Sequence, residues 1–276
     1  MKLRESLKHK KRIVIKVGTS SLSYENGRLN FQRIGQIAHV LSAVRNKNIE
    51  VVLVTSGAIG VGAGRIGMVE KPTDLAKKQA LAAIGQAELI KIYQKFFEEY
   101  NQTVAQVLLT KDVMTNPGRH QNAKNTLLKL LSMGIIPIIN ENDTISTDEI
   151  EFGDNDTLSA DVATLVESDL LILLSDIDGL YSADPKMETS AQIIRTVDKI
   201  TPKLINSASG ASTSFGTGGM ATKISAAKIC VEAKIDTVIT NGNNPFTVFD
   251  ILEGKEIGTH FVANHNKALH NKKDHE

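Results

Sequence analysis

The sequence predicts an α/β protein in which helices cover both faces of a mostly parallel open sheet, a three-layer αβα sandwich. Short apolar runs alternate along the chain with segments whose apolar residues recur at helical spacing. Continuous apolar runs are typical of strands that are buried on both faces, and such strands occur in parallel sheets. The chain has 276 residues, of which 41% are hydrophobic, so it can bury a substantial core.

The predicted strands are runs of four to six residues that are rich in Val, Ile and Leu. They cover residues 12–17, 50–54, 104–109, 135–139, 170–174 and 237–240. The predicted helices carry an apolar face with a period near 3.6 residues. They cover residues 31–44, 75–97, 121–131, 158–166 and 220–233. Strand and helix therefore alternate from the first strand to the last.

We interpret residues 1–262 as one domain with two lobes, residues 12–168 and residues 169–262. The division falls near residue 170 because we expect the fewest contacts between the two halves there. Residues 263–276 form a polar tail.

Composition and charge exclude several classes of function. The net charge is +1, aromatic residues are 4% of the chain and Trp is absent, so we expect no nucleic-acid partner. No apolar run approaches the length that spans a membrane, and the basic N-terminus lacks the apolar segment of a secretory signal. The single cysteine, Cys230, excludes an internal disulfide and is interpreted as a buried structural thiol. We therefore expect a cytoplasmic enzyme without a membrane partner.

Residues 140–156 form the most unusual segment, with seven acids, three asparagines and no Lys or Arg in seventeen positions. They directly follow a predicted strand, and ligands of open α/β sheets bind just beyond the carboxyl ends of strands. Such a cluster suits a polar ligand with a positive group, or a catalytic site that is rich in cations. For this segment taken alone, a solvated acidic hairpin is the alternative.

Three other strand ends carry unusual residues. Lys16 lies near the end of the first strand, and the glycine two positions later lets backbone N–H groups approach an anion. A surface lysine beside an ordinary turn is the alternative. Ser56 opens a glycine-rich loop after the second strand. Ser175 and Asp176 follow the fifth strand, where an ordinary Asp-Gly turn is the alternative.

A fourth loop precedes the last predicted helix, with glycines at positions 216, 218 and 219. A helix N-terminus offers free N–H groups and a partial positive charge, which suits phosphate, and Lys223 lies about one turn into this helix. A flexible glycine hinge is the alternative, and the Walker pattern is not met. Residues 62–67 match the dinucleotide G-x-G-x-x-G pattern, but the position about twenty residues on falls inside a helix, so we discount the match.

These residues favour phosphoryl transfer to a carboxylate, in which catalysis is mostly positioning and charge neutralisation. Two glycine loops each have a lysine, whereas no Ser-His-Asp order, nucleophilic cysteine or histidine metal cluster is present in the sequence. A carboxylate with a pKa of about 4.3 is ionised at pH 7 and needs no base. Two anions about 4 Å apart at an effective dielectric near 20 repel by roughly 4 kcal/mol, which fixed lysines offset in part.

Six motifs, in order along the chain, resemble the amino acid kinase family: KVGTSSL, VTSGAIGVG, IIPIINENDTIS, FGDNDTLSA, LLSDIDGLYSADP and GTGGMATK. They extend over about residues 12–262 and are most similar to the members that phosphorylate glutamate. The resemblance implies the amino acid kinase fold. It also implies ATP-dependent phosphorylation of the γ-carboxylate of L-glutamate to L-glutamyl 5-phosphate, the first step of proline biosynthesis. Residues 12–168 would bind glutamate and residues 169–262 the nucleotide.

The same resemblance implies a set of partners. Proline would act as a feedback inhibitor at the glutamate site, and the enzyme would form a homo-oligomer, a dimer or a tetramer. Glutamyl phosphate reductase is a candidate partner, because an acyl phosphate hydrolyses readily. Many relatives continue into a C-terminal PUA-type domain, and we expect none here because the chain has no room for one.

Site roles follow from the resemblance as well. Lys16 and Lys223 would stabilise the transferring phosphoryl group, and Asp156 would hold their ammonium groups. The residues implied for glutamate are Ser56, Asp143 and Asn155, with Asp143 as partner of the α-ammonium group and with Asp154 and Asn142 as second choices. The residues implied for ATP are Lys16, Ser175, Asp176, Thr217, Gly218, Gly219, Met220, Ala221, Thr222 and Lys223. Mg²⁺ would bridge the ATP phosphates, without an assigned protein ligand.

Three alternatives stay open. The nearest is another kinase of the family, an acetylglutamate kinase, an aspartokinase or a uridylate kinase, although an N-acylated substrate has no ammonium group for an acidic pocket. The second is a dinucleotide-binding oxidoreductase built on residues 62–67. The third is a catalytically silent amino-acid sensor on the same fold, which would not need the two lysines that this chain retains.

Overall fold

A computed structural model describes residues 3–24, 28–68, 72–145, 155–185, 187–202, 204–205 and 219–263. The strands in these residues are β1 Arg12–Val17, β2 Glu50–Thr55, β3 Val104–Leu109, β4 Ile136–Glu141, β5 Leu170–Ser175, β6 Thr196–Val197, β7 Asp236–Asn241 and β8 Thr259–Phe261. They form one sheet in the order β3-β4-β2-β1-β5-β7-β8-β6. Neighbouring strands are parallel except β7 and β8. The predicted mostly parallel sheet is confirmed.

The α-helices of the described residues are α1 Thr19–Leu22, α2 Phe31–Asn46, α3 Ala58–Arg65, α4 Leu75–Glu98, α5 Pro117–Ser132, α6 Asn155–Leu165, α7 Met220–Glu232 and α8 Thr247–Leu252. Two 3₁₀ helices cover Leu3–His9 and Lys111–Val113. All five predicted helices are present. Helix α5 begins four residues before its predicted start, because the Asn116 side chain caps it and Pro117 suits the first helical position.

Helices cover both faces of the sheet, which confirms the three-layer sandwich. In β1, Ile13 and Ile15 pack into a core with α2, α4 and α8, whereas Val14 packs into a second core with α5, α6 and α7. Successive side chains of a strand point to opposite faces, so Lys16 lies on the same face as Val14. Its ammonium group is therefore directed to the side where α6 and α7 begin.

The glycine-rich segment after β2 is a helix, α3, and its prediction as a loop is wrong. Gly57 precedes this helix in the left-handed conformation, at φ 92°. A Cβ atom on Gly62 would lie 2.0 Å from the carbonyl oxygen of Leu81, and one on Gly85 would lie 1.7 Å from that of Ala58. These glycines therefore allow α3 and α4 to pack backbone against backbone. In the sequence, the same pattern of glycines is also typical of a loop.

The sheet runs through the predicted lobe boundary, since β1 and β5 pair over five residue positions. The division into two lobes stays a prediction, and residues 264–276 of the polar tail lie outside the described residues. The short elements β6, β8, α1 and α8 were not predicted, because strands of two or three residues and helices of fewer than two turns give no readable period. Every helix in the described part of the chain is too short or too polar to cross a membrane.

Candidate active site

The carboxyl ends of four neighbouring strands, β4, β2, β1 and β5, lie at one edge of the sheet. They bring together three residues that the sequence singled out, Lys16, Ser56 and Ser175, with Asn140, the first residue of the acidic segment. The first turns of α6 and α7 meet at the same edge, where Asp156 of α6 contacts Thr222 and Lys223 of α7. Segments that are far apart in the sequence thus share one site.

Asp156 lies between two lysines. Lys16 Nζ is 2.7 Å from Asp156 Oδ1, and Lys223 Nζ is 3.1 Å from Asp156 Oδ2. Asp156 is 1% exposed, Lys16 8% and Lys223 4%, so water screens these charges little. The structure therefore joins two ammonium groups from opposite ends of the chain through one carboxylate.

The two lysines determine the protonation state of Asp156. Burial alone would raise the pKa of this carboxyl, but the ammonium groups of Lys16 and Lys223, with a hydrogen bond from Thr222, hold the pKa below its ordinary value. Asp156 also lies in the first turn of α6, where the helix dipole favours an anion. It is ionised at neutral pH, which makes it suited to positioning the ammonium groups and unsuited to accepting a proton.

The N-terminus of α7 faces this cluster. Gly219 is the N-cap residue and supplies no side-chain cap to the first N–H groups of the helix. The hydroxyl oxygen of Thr222 lies 2.9 Å from Asp156 Oδ2 and 2.8 Å from the carbonyl oxygen of Gly219, so it ties the first turn of α7 to Asp156. Met220 and Ala221 lie in the same turn. Thr217 and Gly218, which were also predicted to bind ATP, lie outside the described residues.

Asn155 connects the ends of β2 and β4. Its Nδ2 lies 2.6 Å from Ser56 Oγ, 3.1 Å from the carbonyl oxygen of Thr55 and 3.2 Å from Asn140 Oδ1. Asn155 is 2% exposed and Ser56 7%. The predicted pair of Ser56 and Asn155 is thus in direct contact, one residue before Asp156.

Two acids lie at the carboxyl end of β4 and just beyond it. Glu141 is the last residue of β4, and Asp143 lies two positions further on; they are 7% and 3% exposed. Asn142, a second choice for the glutamate site, lies between them. Residues 146–154, including Asp154, lie outside the described residues. Glu141 was not assigned from the sequence, although its carboxyl group is buried at the same edge.

Beyond β5, Ser175 Oγ donates a hydrogen bond of 3.0 Å to Asp176 Oδ1. A groove of about 400 Å³ follows, lined by the end of β7 and by the segment after β5, among others. Its polar lining includes Asp178, Tyr181, Arg195, Asn241, Asn243 and Glu256. Asn241 Nδ2 donates to Asp178 Oδ1 at 2.8 Å, which joins the two strand ends. In this segment the residues assigned to ATP from the sequence end at Asp176, and the groove was not predicted because its residues come from four separate segments.

Within the described ranges, no group of three or more His, Cys, Asp or Glu side chains is placed to hold a metal ion.

Cys230 is buried in α7, and burial raises the pKa of its thiol to about 12. A thiol with this pKa is protonated at neutral pH and is a poor nucleophile.

A model of the amino acid kinase family matches residues 11–241. The chain belongs to the amino acid kinase family. A glutamate 5-kinase from Clostridium perfringens is 53% identical over 95% of this chain and 98% of its own length. One from Listeria monocytogenes is 50% identical over 97% of this chain and 99% of its own length. The predicted resemblance is confirmed, and the enzyme is a kinase.

Solved structures support the fold of this kinase. A UMP kinase from Bacillus anthracis is 19% identical, with a TM-score of 0.60, and the match covers 92% of this chain and 97% of that chain. An isopentenyl phosphate kinase from T. acidophilum is 20% identical, with a TM-score of 0.58, and the match covers 91% and 100%. At these identities the likeness concerns the fold alone.

Proposed function

We propose that this kinase transfers the γ-phosphoryl group of ATP to the γ-carboxylate of L-glutamate and forms L-glutamyl 5-phosphate. The observation that carries the proposal is the contact of Lys16 and Lys223 with the two oxygens of one buried carboxylate. The names of the relatives at 50–53% identity support glutamate as the acceptor. The ends of β2 and β4 support an amino-acid substrate, because they combine amide and hydroxyl donors with acids.

The reaction needs charge neutralisation and no general base. An oxygen of the ionised γ-carboxylate attacks the γ-phosphorus, the bond from that phosphorus to the bridging oxygen breaks, and ADP leaves with the electron pair. Lys16 and Lys223 lie on one carboxylate, so a single phosphoryl group can contact both ammonium groups. They reduce the repulsion between the two anions and stabilise the charge that develops in the transition state. Asp156 keeps them in place.

The site offers hydrogen-bond donors for the carboxylates of glutamate and an acid for its α-ammonium group. The Ser56 hydroxyl and Asn155 Nδ2 are donors for carboxylate oxygens, and they lie 2.6 Å apart. Asp143 supplies the negative charge for the α-ammonium group. We assign these three residues to glutamate binding.

The nucleotide occupies the other side of the lysine pair. Its phosphates face Lys16, Lys223 and the first turn of α7, where the N-cap glycine supplies no side-chain cap and the helix N-terminus favours anions. Its nucleoside extends past Ser175 and Asp176 into the groove beyond β5 and β7, whose volume of about 400 Å³ suits a group of that size. Mg²⁺ enters with ATP as part of the substrate and neutralises phosphate charge.

A hydroxylamine trap tests the proposal, because γ-glutamyl phosphate reacts with hydroxylamine to give a coloured hydroxamate complex with iron. The wild-type protein with ATP, Mg²⁺ and glutamate should give the hydroxamate, and omission of ATP should abolish it. Aspartate, N-acetylglutamate and UMP should each support slower release of ADP than glutamate. Faster turnover of any of these three acceptors would show that the glutamate assignment is wrong.

The family resemblance carries further expectations for the same site. We propose that the reaction serves proline biosynthesis in the cytoplasm and that proline competes with glutamate. The acyl phosphate product requires a reaction that consumes it quickly, for which a glutamyl phosphate reductase is the expected partner. A dimer or a tetramer stays the predicted assembly. Inhibition by proline that higher glutamate does not relieve would contradict the competitive part of this proposal.

A further inference from the structure

Strands β2 and β4 are paired over fewer residue positions than the other neighbouring strands of the central sheet. These two strands are in register over two residue positions, whereas β2 pairs with β1 over six, and β4 pairs with β3 over six. The pairing between β2 and β4 stops before their last residues, Thr55 and Glu141. A small opening of about 10 Å³ lies at this point, and its lining includes Thr55, Asn140, Gln86 and Tyr93.

Helix α4 reaches this opening with two polar side chains. Gln86 Nε2 donates a hydrogen bond of 3.2 Å to the carbonyl oxygen of Glu141, at the end of β4. The hydroxyl groups of Tyr93 and Thr55 share a hydrogen bond of 2.9 Å, at the end of β2. Gln86 and Tyr93 are seven residues apart, so both lie on the face of α4 that is turned to the sheet.

Both side chains occupy positions where apolar residues would be expected. Gln86 is 5% exposed and Tyr93 is fully buried, and the neighbouring residues on this face, Ala82 and Leu89, are apolar and buried. A buried polar group costs free energy unless it is hydrogen-bonded. Gln106 Nε2 lies 3.4 Å from Gln86 Oε1 and occupies the acceptor side of that amide. The polar atoms of this face thus have partners at the ends of β2 and β4 and, for Gln86 Oε1, within β3.

The contacts of α4 lead directly to the proposed substrate residues. Thr55 precedes Ser56, and its carbonyl oxygen accepts from Asn155 Nδ2 at 3.1 Å. Asn140, which precedes Glu141, accepts from the same Nδ2 at 3.2 Å. Asn155 therefore spans the opening on one face of the sheet, and α4 spans it on the other.

We propose that Gln86 and Tyr93 are positioning residues that fix the separation of the ends of β2 and β4. They touch no reacting atom; they act through Thr55 and Glu141 on the distance between Ser56 and Asp143. The inference rests on the proposed function, because that distance matters only if glutamate binds between these strand ends. If Gln86 and Tyr93 had only a structural role, their hydrogen bonds would contribute to folding stability and not to KM for glutamate.

Substitutions of nearly constant volume test this role. Gln86→Met and Tyr93→Phe remove the hydrogen bonds, and each should raise KM for glutamate by about two- to twelvefold, the range that corresponds to one net hydrogen bond. KM for ATP should stay within about twofold of the wild-type value. Combining Tyr93→Phe with Thr55→Val should raise KM no further than Tyr93→Phe alone, because both remove the same contact.

Ile37→Val is the matched control, since it removes one methylene from the same buried core, on α2. It should lower Tm and leave KM for glutamate unchanged. The proposal is overturned if Gln86→Met and Tyr93→Phe lower Tm as this control does without changing KM for glutamate, or if they raise KM for ATP equally. Absence of glutamate-dependent ADP release from the wild-type protein is a distinct result, which refutes the proposed function and this inference with it.

Discussion

Replacing Lys223 with Met removes one ammonium group and retains most of the side-chain volume. Lys223 Nζ lies 3.1 Å from Asp156 Oδ2, and the residue is 4% exposed. At an effective dielectric near 20, unit charges at that distance interact by about 5 kcal/mol, and charges about 4 Å apart by roughly 4 kcal/mol. Part of this attraction stabilises bound ATP as well as the transition state, and that part does not lower the barrier. We therefore expect kcat to fall by about 10²- to 10³-fold, the range for loss of one preorganised donor.

The assay is the initial rate of ADP release at saturating ATP and glutamate. KM for glutamate should change by less than about threefold, because the lost charge acts mainly on the transferring group. Lys228→Met is the matched control: Lys228 lies on the same helix but is exposed, and its replacement should leave kcat unchanged. A folded Lys223→Met protein with kcat within about fivefold of the wild-type value would refute the charge argument.

Other perturbations have defined outcomes. Asn155→Ala should raise KM for glutamate more than it lowers kcat, because Asn155 Nδ2 orients a serine hydroxyl 2.6 Å away; a glutamate titration that shows an effect on kcat alone would contradict this. Gly85→Ala should lower Tm by several degrees or prevent folding, since its Cβ would lie 1.7 Å from the Ala58 carbonyl oxygen; an unchanged melting curve would disprove the close packing. Burial alone would raise the pKa of Asp236, but hydrogen bonds with His260 and a lysine hold the pKa below its ordinary value. The ionised carboxyl therefore stabilises the fold above its unfolded pKa of about 3.9, and this contribution is lost as pH falls through the folded pKa. The Tm difference between wild type and Asp236→Asn should be present at pH 7 and shrink below about pH 4, whereas a constant difference would argue against the linkage.

The order of strands and helices could be read from the sequence because each long element has a clear period. From Ile13 to Val17 the run is apolar except for Lys16, and that exception marks a residue directed into the site. Helix α3 could not be read in the same way. Its glycines have low helix propensity, and only the contact with α4 shows why they are there.

Site residues could be predicted from the sequence where polar residues cluster in one segment. They could not be predicted where a polar residue stands alone among apolar ones. Asp156 belongs to a dense acidic segment, and Lys223 follows a glycine cluster, so both stand out. Gln86 and Tyr93 lie on the buried face of an amphipathic helix, and nothing in the sequence says that this face meets two strand ends. The one sequence feature that could have indicated a role for Gln86 is its position between Ala82 and Leu89 on an otherwise apolar helix face.

In the proposed reaction, Lys16 and Lys223 together contact the phosphoryl group during transfer. A crystal structure with ADP, Mg²⁺, glutamate and aluminium fluoride, which mimics that group, measures it directly. We expect both Nζ atoms within about 3 Å of the fluoride ligands, the distance of a charge-assisted hydrogen bond, with Asp156 still in contact with the lysines. Either Nζ atom lying too far from the fluoride ligands for a hydrogen bond would contradict it.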